Sequence, residues 1–238
     1  MSADDLKRAV GETAAELVQP GMIVGLGTGS TAAWLVRALA VRQLDIRCVS
    51  TSLATATLAS ELGLLLADLD DVPEIDLTID GADEIGPDLA LIKGAGAAML
   101  REKLVWEASR RCVCIADASK VVQTLGAGAY PLPIEVIPFG HTTTLRRIQD
   151  GLADCGILAA PSLRRKDGAA VLTDSGNLIY DAHCGAILDP VSVEAALKSI
   201  TGVVEHGLFL GLTKEALIGT SLGVERLGPR DFKETPNG

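Results

Sequence analysis

The sequence predicts an α/β fold, with a Rossmann-like open parallel sheet that carries helices on both faces, plus a small α+β second domain. Over roughly the first 130 residues, short apolar runs alternate with polar loops and helical patterns, which is typical of βαβ units. After Tyr130-Pro-Leu-Pro the pattern changes to βαββαβ, which is typical of a ferredoxin-like layer.

Each predicted strand of the first part leads into a polar loop. The strands are expected at Met22–Gly25, Ile46–Val49, Ile75–Ile79, Leu89–Ile92 and Cys112–Ile115. Helices are expected near Ala32–Leu39, in a stretch after the second strand that ends at Leu62, and near Ala98–Arg110. Ligands of open α/β sheets bind beyond the carboxyl ends of the strands. We therefore expect the loops after these strands to form one binding site.

The second part is predicted to run strand, helix, strand, hairpin, helix and strand. These elements are expected at Ile134–Ile137, Thr142–Cys155, Leu158–Leu163, on both sides of a turn at Asp174–Asn177, at Val191–Ile200 and at Val203–Leu208. The segment Leu217–Arg226 is expected to return to the first domain. The predicted domains are therefore residues 1–129 with 208–238, which bind and convert the ligand, and residues 130–207, with a role in oligomerisation.

The composition excludes several classes of protein. A chain of 238 residues that is 48% hydrophobic can form a core and is not disordered. With 21 basic and 31 acidic residues the formal charge is −10, which argues against nucleic-acid binding. The uncharged stretch Leu17–Val36 is interrupted by glycine and hydroxyl residues, so no membrane helix is expected. The N-terminus does not resemble a signal peptide, and a cytoplasmic location is expected.

Cysteine and histidine residues show no pattern of a metal site. The five cysteines are scattered without a CxxC motif, so reduced thiols and no structural metal are expected. The three histidines all fall in the second domain and are interpreted as structural or surface residues.

The loop Gly25–Thr31 (GLGTGST) joins a predicted strand to a predicted helix. Its glycines would let the backbone approach a ligand, and the first amides of the helix would point toward an anion. No lysine follows as in a P-loop, and Ser30 stands where a dinucleotide fingerprint has its third glycine. The pattern favours a phosphate cradle, with a tight turn capped by serine and threonine as the alternative.

Charged side chains follow the next two predicted strands. Asp80 and Asp83 in DGADE could bind sugar hydroxyls, shift one another's pKa, hold Mg²⁺ beside phosphates, or cap a helix. Lys93 ends the apolar run ALIK, and we expect it to pair with Asp80 or Asp83, to contact a ligand, or to do both.

Glu102 is the residue that most strongly indicates catalysis. In the predicted helix its neighbours three and four positions away are all apolar: Ala98, Met99, Val105 and Trp106. A carboxylate on an apolar face is unfavourable unless it is paired or its pKa rises. A glutamate of raised pKa near a phosphate cradle could act as a general base. A glutamate that extends into solvent from a helix end is the alternative.

Four motifs resemble those of ribose-5-phosphate isomerase of the A type: GLGTGSTA, DGADEI, KGAGAAMLREKLV and CIADASK. The resemblance covers nearly the whole chain, from LKRAVG through PLPIEVIP and ILDP to GLF and ALIG. It implies reversible aldose–ketose isomerisation of D-ribose 5-phosphate and D-ribulose 5-phosphate in the non-oxidative pentose phosphate pathway. It also implies an enediol(ate) intermediate, no metal or other cofactor, and a homodimer or higher homo-oligomer.

The resemblance also implies roles for individual residues. Glu102 would move a proton between C1 and C2, and Lys93 with the amides that follow it would stabilise the enediolate oxygen. Asp80 and Asp83 would hold hydroxyls and assist ring opening. Thr28 to Thr31 would cradle the phosphate, with charge from Lys120 and Lys7. The full substrate-binding set is Lys7, Thr28, Gly29, Ser30, Thr31, Asp80, Gly81, Ala82, Asp83, Lys93, Gly94, Ala95, Gly96 and Lys120.

Ala95 departs from the family pattern, which commonly has a glycine at this position. A positive φ at Ala95 would cost roughly 1 kcal/mol or more. We expect that only the amide of Ala95 is used, so that its methyl group costs nothing.

Two other functions remain open. A coenzyme A transferase could use a glutamate nucleophile on a related architecture and would be labelled covalently by an acyl-CoA. A sugar-phosphate sensor would bind without turnover, but the first 20 residues are too short and too acidic for the DNA-binding segment of a regulator. An NAD-dependent oxidoreductase is disfavoured by the missing third glycine. Turnover of ribose 5-phosphate alone, after chelation, would discriminate among them.

Overall fold

The computed structural model describes residues 2–128 and 130–228, so residues 1, 129 and 229–238 of the predicted first domain lie outside the described part. The helices are α1 (Ala3–Ala15), α2 (Ser30–Arg42), α3 (Leu53–Glu61), α4 (Met99–Glu107), α5 (His141–Asp154) and α6 (Pro190–Lys198). The strands are β1 (Ile23–Leu26), β2 (Arg47–Ser50), β3 (Leu77–Gly81), β4 (Glu84–Ile85), β5 (Leu91–Ile92), β6 (Cys112–Asp117), β7 (Leu132–Val136), β8 (Ser162–Leu163), β9 (Arg165–Lys166), β10 (Ala169–Ala170), β11 (Leu178–Ala182), β12 (Val203–His206), β13 (Leu208–Phe209), β14 (Glu215–Thr220) and β15 (Gly223–Leu227). Short 3₁₀ turns lie at Leu69–Asp71, Pro87–Leu89 and Ala118–Lys120.

A six-stranded sheet in the order β15-β14-β6-β3-β1-β2 carries the first part of the fold. Neighbouring strands from β14 to β2 run parallel, and β15 is an antiparallel edge strand. The predicted open parallel sheet is confirmed. Strands β14 and β15 bring the C-terminal segment back to this sheet, beside β6.

Alternate residues of the strands face two different layers of helices. Val113 and Ile115 of β6 pack in one cluster with Val10 of α1 and with α2, whereas Cys114 packs in another cluster with Trp106 of α4. This alternation is the period of two that a strand imposes on its side chains. Helices therefore cover both faces, as predicted.

A four-stranded antiparallel sheet in the order β12-β7-β11-β8 forms the second part. Helices α5 and α6 pack on it through Ile148, Leu152, Val193 and Leu197. The chain order βαββαβ with this strand order is the ferredoxin-like arrangement, as predicted. The β9–β10 pair is an additional hairpin between β8 and β11.

The predicted strand Leu89–Ile92 does not join the parallel sheet. Instead β5 pairs antiparallel with β4 and β13 in a separate three-stranded sheet. The connection from β3 is too short for the crossover of a dozen or more residues that parallel neighbours need. Asp88 and Leu89, with φ of 54° and 58°, turn the chain back so that β4 and β5 form a hairpin. Lys93 therefore approaches the end of β3 from a different sheet.

Two predicted strands of the second part are shorter than expected. The predicted strand Val203–Leu208 is divided at Gly207, whose N–H donates to the Pro133 carbonyl and whose carbonyl accepts from the Lys93 N–H. Gly207 thus links the four-stranded and three-stranded sheets. The predicted strand Leu158–Leu163 is reduced to β8, since Pro161 has no N–H to donate to a sheet.

In the described part of the chain, no helix is both long enough and apolar enough to cross a membrane. The uncharged stretch Leu17–Val36 contains β1 and the first half of α2.

Candidate active site

A cavity of about 250 Å³ lies where the loops after β1, β3, β5 and β6 converge. It is lined by Lys7, Thr28, Gly29, Ser30, Thr31, Gly81, Ala82, Asp83, Lys93, Gly94, Ala95, Gly96, Glu102, Lys120 and Tyr130. These are all the residues that the sequence predicts for the site except Asp80, with Tyr130 in addition. The structure therefore brings the predicted residues together, while their roles stay predictions.

Asp80 lies behind the cavity rather than on its wall. Its side chain is fully buried, and its Oδ1 accepts hydrogen bonds from the N–H groups of Thr28 (2.9 Å) and Gly81 (2.7 Å). A Cβ at Gly27 would lie 2.1 Å from this oxygen, so only glycine lets the loop after β1 pass so close. Because its carboxylate is enclosed by protein, Asp80 does not lie where the predicted contact with sugar hydroxyls would place it.

Lys93 is buried between two carboxylates. Its Nζ lies 3.0 Å from Asp80 Oδ2 and 3.3 Å from Glu102 Oε1, and it also donates a hydrogen bond to the Gly81 carbonyl. Burial by itself would lower the pKa of Lys93, but the charges of Asp80 and Glu102 outweigh burial and raise it. Lys93 is thus held as a cation at the cavity, with the expected Asp80 partner.

Glu102 lies in the first turn of α4 and is 4% exposed. Burial raises the pKa of Glu102 to about 8, since the lowering by Lys93 only partly offsets burial and the Asp80 charge raises it further. Its Oε1 faces Lys93, whereas its buried Oε2 has no hydrogen-bond partner among the described residues. The apolar face predicted from the sequence is therefore present, and the alternative of a solvent-directed glutamate is wrong.

Asp83 holds the loop that follows Lys93. Its Oδ2 accepts a hydrogen bond of 2.8 Å from the Ala95 N–H, and both residues line the cavity. Ala95 is not among the residues of positive φ, which confirms that its methyl group costs no backbone strain. The residue that does adopt the left-handed conformation is Ala97, with a φ of 61°.

The predicted phosphate cradle lies at the N-terminus of α2, where free amides favour an anion. The Thr28 hydroxyl is turned inward, 2.8 Å from the hydroxyls of both Thr51 and Ser52, and the Thr28 N–H donates to Asp80 Oδ1, so both donors of Thr28 are directed at protein groups. These partners explain the serine and threonine residues that follow β2. Among the described residues Lys7 and Lys120 form no ion pair, and both line the cavity.

Tyr130 is the site residue that sequence reasoning missed. The Nζ of Lys120 lies 3.9 Å from the centre of the Tyr130 ring, a cation–π contact at the wall of the cavity. The sequence signal was an aromatic residue at the Tyr130-Pro-Leu-Pro junction, but no spacing ties a junction residue to Lys120.

The histidines and cysteines lie outside the cavity. Burial lowers the pKa of His206 to about 3, so this histidine stays neutral in the core of the second part. All five cysteines are free, and burial raises the pKa of the Cys114 thiol to about 12. Within the residues that the structure describes, no group of three or more His, Cys, Asp or Glu could hold a metal ion.

Comparison with known proteins extends the resemblance. The family model of ribose 5-phosphate isomerase A (phosphoriboisomerase A) matches residues 47–223, and the model of the DeoR C terminal sensor domain matches residues 2–64. Ribose-5-phosphate isomerase A from Caulobacter sp. (strain K31) is 64% identical over 229 residues, which are 96% of this chain and 100% of the relative.

Solved structures agree with these matches. Ribose 5-phosphate isomerase A from Methanocaldococcus jannaschii has a TM-score of 0.87 at 37% identity, covering 95% of this chain and 100% of that one. A D-ribose-5-phosphate isomerase in complex with phospho-erythronic acid has a TM-score of 0.89 at 35% identity, covering 96% of this chain and 100% of that one. With a family match over most of its length and relatives of this similarity, the chain belongs to the ribose-5-phosphate isomerase A family.

Proposed function

We propose that the chain is a ribose-5-phosphate isomerase that interconverts D-ribose 5-phosphate and D-ribulose 5-phosphate, with Glu102 as its base. The observation that carries this proposal is the pair of environments at the two oxygens of Glu102: Oε1 faces Lys93, and Oε2 is buried without a partner among the described residues. An unused carboxylate oxygen beside a buried ammonium suits proton removal from carbon next to a developing oxyanion.

The reaction begins from the open-chain aldose. Glu102 removes the proton from C2, the electron pair of the broken C–H bond forms the C1=C2 double bond, and the carbonyl electrons move to O1. Lys93 and the backbone amides that follow it stabilise the negative charge on this oxygen. The C2 hydroxyl proton passes to O1, Glu102 returns its proton to C1, and O2 becomes the carbonyl oxygen of the ketose.

The two aspartates have different parts in this proposal. Asp83 lines the cavity and would accept hydrogen bonds from sugar hydroxyls and assist ring opening. Asp80 would act through its neighbours, because it contacts Lys93 and the Thr28 N–H from behind the cavity wall. We therefore treat Asp80 as a positioning residue.

The phosphate would bind at the N-terminus of α2, with Lys7 and Lys120 as countercharges. A chain of formal charge −10 needs such local cations to attract an anionic substrate. The phospho-erythronic acid in the related solved structure supports this proposal, since its phosphate and carboxylate resemble the two anionic ends of an enediolate sugar phosphate.

The test is turnover of D-ribose 5-phosphate by the purified chain, without nucleotide and after chelation, followed by NMR. Appearance of D-ribulose 5-phosphate supports the proposal. The DeoR-type match favours a sensor as the second candidate, and a sensor would bind ribose 5-phosphate without forming ketose. A coenzyme A transferase would instead gain an acyl group on Glu102 from an acyl-CoA, which mass spectrometry would detect.

We also propose the division into residues 1–129 with 208–238 as the catalytic domain and residues 130–207 as a domain for homodimer or higher homo-oligomer formation. Exposed apolar side chains in the second range support this role: Phe139 is 91% exposed, Leu158 94% and Leu188 87%. Sedimentation analysis of the wild type and F139E tests it, since only an interface residue would shift the assembly toward monomer.

We further propose a cytoplasmic location, in the non-oxidative pentose phosphate pathway, without nucleic-acid or membrane partners. The free cysteines support a reducing compartment. Fractionation of cells that express the tagged chain tests this proposal, and recovery with an oxidising compartment would contradict it.

A further inference from the structure

One arginine of the ferredoxin-like part reaches the loop that follows Lys93. Nη1 of Arg164, which lies between β8 and β9, donates hydrogen bonds to the carbonyl oxygens of Gly94 (2.8 Å) and Ala95 (3.2 Å). Its neighbour Arg165 is exposed and donates to the Gly168 carbonyl of the β9–β10 turn instead. The contact to the loop is therefore specific to one of two adjacent arginines.

Arg164 is a fixed donor. Its Nε and Nη2 bind the two carboxylate oxygens of Asp181 on β11, in a bidentate pair whose side chains are only 15% and 16% exposed. Its backbone is held on both sides, because its N–H donates to the Ile179 carbonyl and its carbonyl accepts from the Val171 N–H. The guanidinium therefore has little freedom to follow a moving loop.

Binding these two carbonyls also sets the direction of two amides. In a planar trans peptide the C=O and the N–H point in opposite directions. The Gly94 carbonyl shares its peptide with the Ala95 N–H, and the Ala95 carbonyl shares its peptide with the Gly96 N–H. The Gly94 carbonyl also accepts from the Ala97 N–H (3.0 Å), whereas the Ala95 carbonyl accepts from Arg164. Both N–H groups therefore point away from Arg164, and the Gly96 N–H depends on Arg164 most. The Ala95 N–H meets Asp83, the Gly96 N–H has no partner among the described residues, and both residues line the cavity.

The loop needs this support because its own conformation is unfavourable. Ala97 has a φ of 61°, a left-handed conformation that a non-glycine residue keeps only when its surroundings fix it. Gly94 has a φ of 111°, and a Cβ there would lie 2.7 Å from Pro133 Cγ of β7, so the loop is packed closely against the second part.

We propose that Arg164, oriented by Asp181, is a positioning residue of the isomerisation: it holds the Gly94–Gly96 backbone so that the Gly96 N–H faces the reacting oxygen while the Ala95 N–H stays on Asp83. The inference rests on the proposed function, in which the loop after Lys93 and Lys93 itself share the enediolate charge. It gives the ferredoxin-like part a direct role in the chemistry of the other part. Loss of Arg164 should weaken transition-state binding and leave ground-state binding of the sugar phosphate unchanged.

The experiment compares the wild type with R164M, R164K and D181N, and with R165M as the matched control. Two substrate analogues serve as binding probes: phospho-erythronate, whose carboxylate imitates the enediolate, and ribitol 5-phosphate, which has no such charge. For R164M we expect kcat to fall by roughly 10- to 10²-fold, with KM changed less than about threefold. Affinity for phospho-erythronate should fall by a similar factor, whereas affinity for ribitol 5-phosphate should not change.

R164K and D181N should show the same selective loss to a smaller degree, and R165M should match the wild type. Near-UV circular dichroism checks folding, and if R164M does not fold, D181N and R164K decide by the same criteria. If R164M keeps the wild-type preference for phospho-erythronate, or loses affinity for both analogues equally, the proposed role of Arg164 is wrong and the proposed oxyanion site still stands. A wild type with no preference for phospho-erythronate overturns the oxyanion site itself, and the role of Arg164 with it.

Discussion

The Nζ of Lys93 lies 3.3 Å from Oε1 of Glu102, and both side chains are almost completely buried. Asp80 lies 3.0 Å from the same ammonium, so one cation serves two carboxylates. Asp80 also accepts hydrogen bonds from two backbone N–H groups. Glu102 Oε2 has no hydrogen-bond partner among the described residues, and burial raises the pKa of Glu102 to about 8.

The first prediction concerns the pH dependence of activity. A base must be deprotonated to act, so kcat/KM should rise as pH increases through the raised pKa of Glu102, about 8, instead of levelling off near the ordinary value of 4.5. Initial rates with ribose 5-phosphate between about pH 5.5 and 9.5 measure this. A profile that is flat above about pH 6 would show that Glu102 is ionised in the free enzyme.

The second prediction concerns stability. Between the unfolded pKa of 4.5 and the folded pKa of about 8, the folded protein binds more protons at Glu102, so its free energy of unfolding falls as pH rises. Glutamine cannot ionise, so E102Q should be more stable than the wild type by about 2–4 kcal/mol near pH 8.5. Near pH 4.5 the two proteins should differ by less than about 1 kcal/mol.

Urea unfolding at both pH values measures this difference. The matched control is E107Q, which changes an exposed glutamate of the same helix and should give no pH-dependent gain. Equal stability of E102Q and wild type at both pH values would contradict the burial penalty at Glu102.

The third prediction separates binding from chemistry at the phosphate. A phosphate remote from C1 and C2 is held equally in the ground and transition states, so K120A should raise KM about tenfold or more and change kcat less. The control K166A removes an exposed lysine of β9 that does not line the cavity, and should leave KM unchanged. An unchanged KM in K120A would show that Lys120 does not contact the substrate.

The fourth prediction is that activity survives exhaustive treatment with EDTA. Lys93 and the amides of the following loop already supply positive charge to the enediolate oxygen, and the described residues hold no metal-type cluster of ligands. Rates before and after chelation, with and without added Mg²⁺, measure this. Loss of activity that Mg²⁺ restores would show that a metal ion takes part in the reaction, with Asp83 on the cavity wall as its candidate ligand.

The sequence was sufficient wherever local chemistry determines structure. The apolar runs and their polar loops located the parallel strands, since a buried strand and a glycine-rich turn each have a local signature. The apolar surroundings of Glu102 are also predictable from the sequence, because helical spacing alone decides which residues are its neighbours on α4.

Contacts between segments that are distant in the chain are not predictable from the sequence pattern. The apolar run Leu89–Ile92 predicts a strand but does not show which strand it pairs with. Its antiparallel pairing with β4, in place of a position in the parallel sheet, is therefore not predictable from the run itself. Asp80 could be placed at a strand end but not behind the Gly27 backbone, which depends on how two loops pack. Tyr130 and Arg164 reach the site from outside its motifs, so no spacing in the chain identifies them.

The last prediction tests the base itself. E102Q keeps the shape of the side chain and its ability to hydrogen-bond, but an amide cannot take a proton from C2. Loss of a general base typically costs roughly 10²–10⁴ in rate, so E102Q should bind the sugar phosphate and isomerise it at most very slowly. An NMR time course with ribose 5-phosphate in D₂O measures this. The wild type should form ketose and place some solvent deuterium on the carbons next to the carbonyl.

E102Q should do neither, even at saturating substrate, and E107Q should behave as the wild type. Binding of ribitol 5-phosphate by E102Q at wild-type affinity would show that the cavity is intact. If E102Q turns over at a rate near that of the wild type, Glu102 is not the base. The role would then pass to Asp83, the other carboxylate on the cavity wall, because Asp80 lies behind that wall and is occupied by Lys93 and two backbone N–H groups.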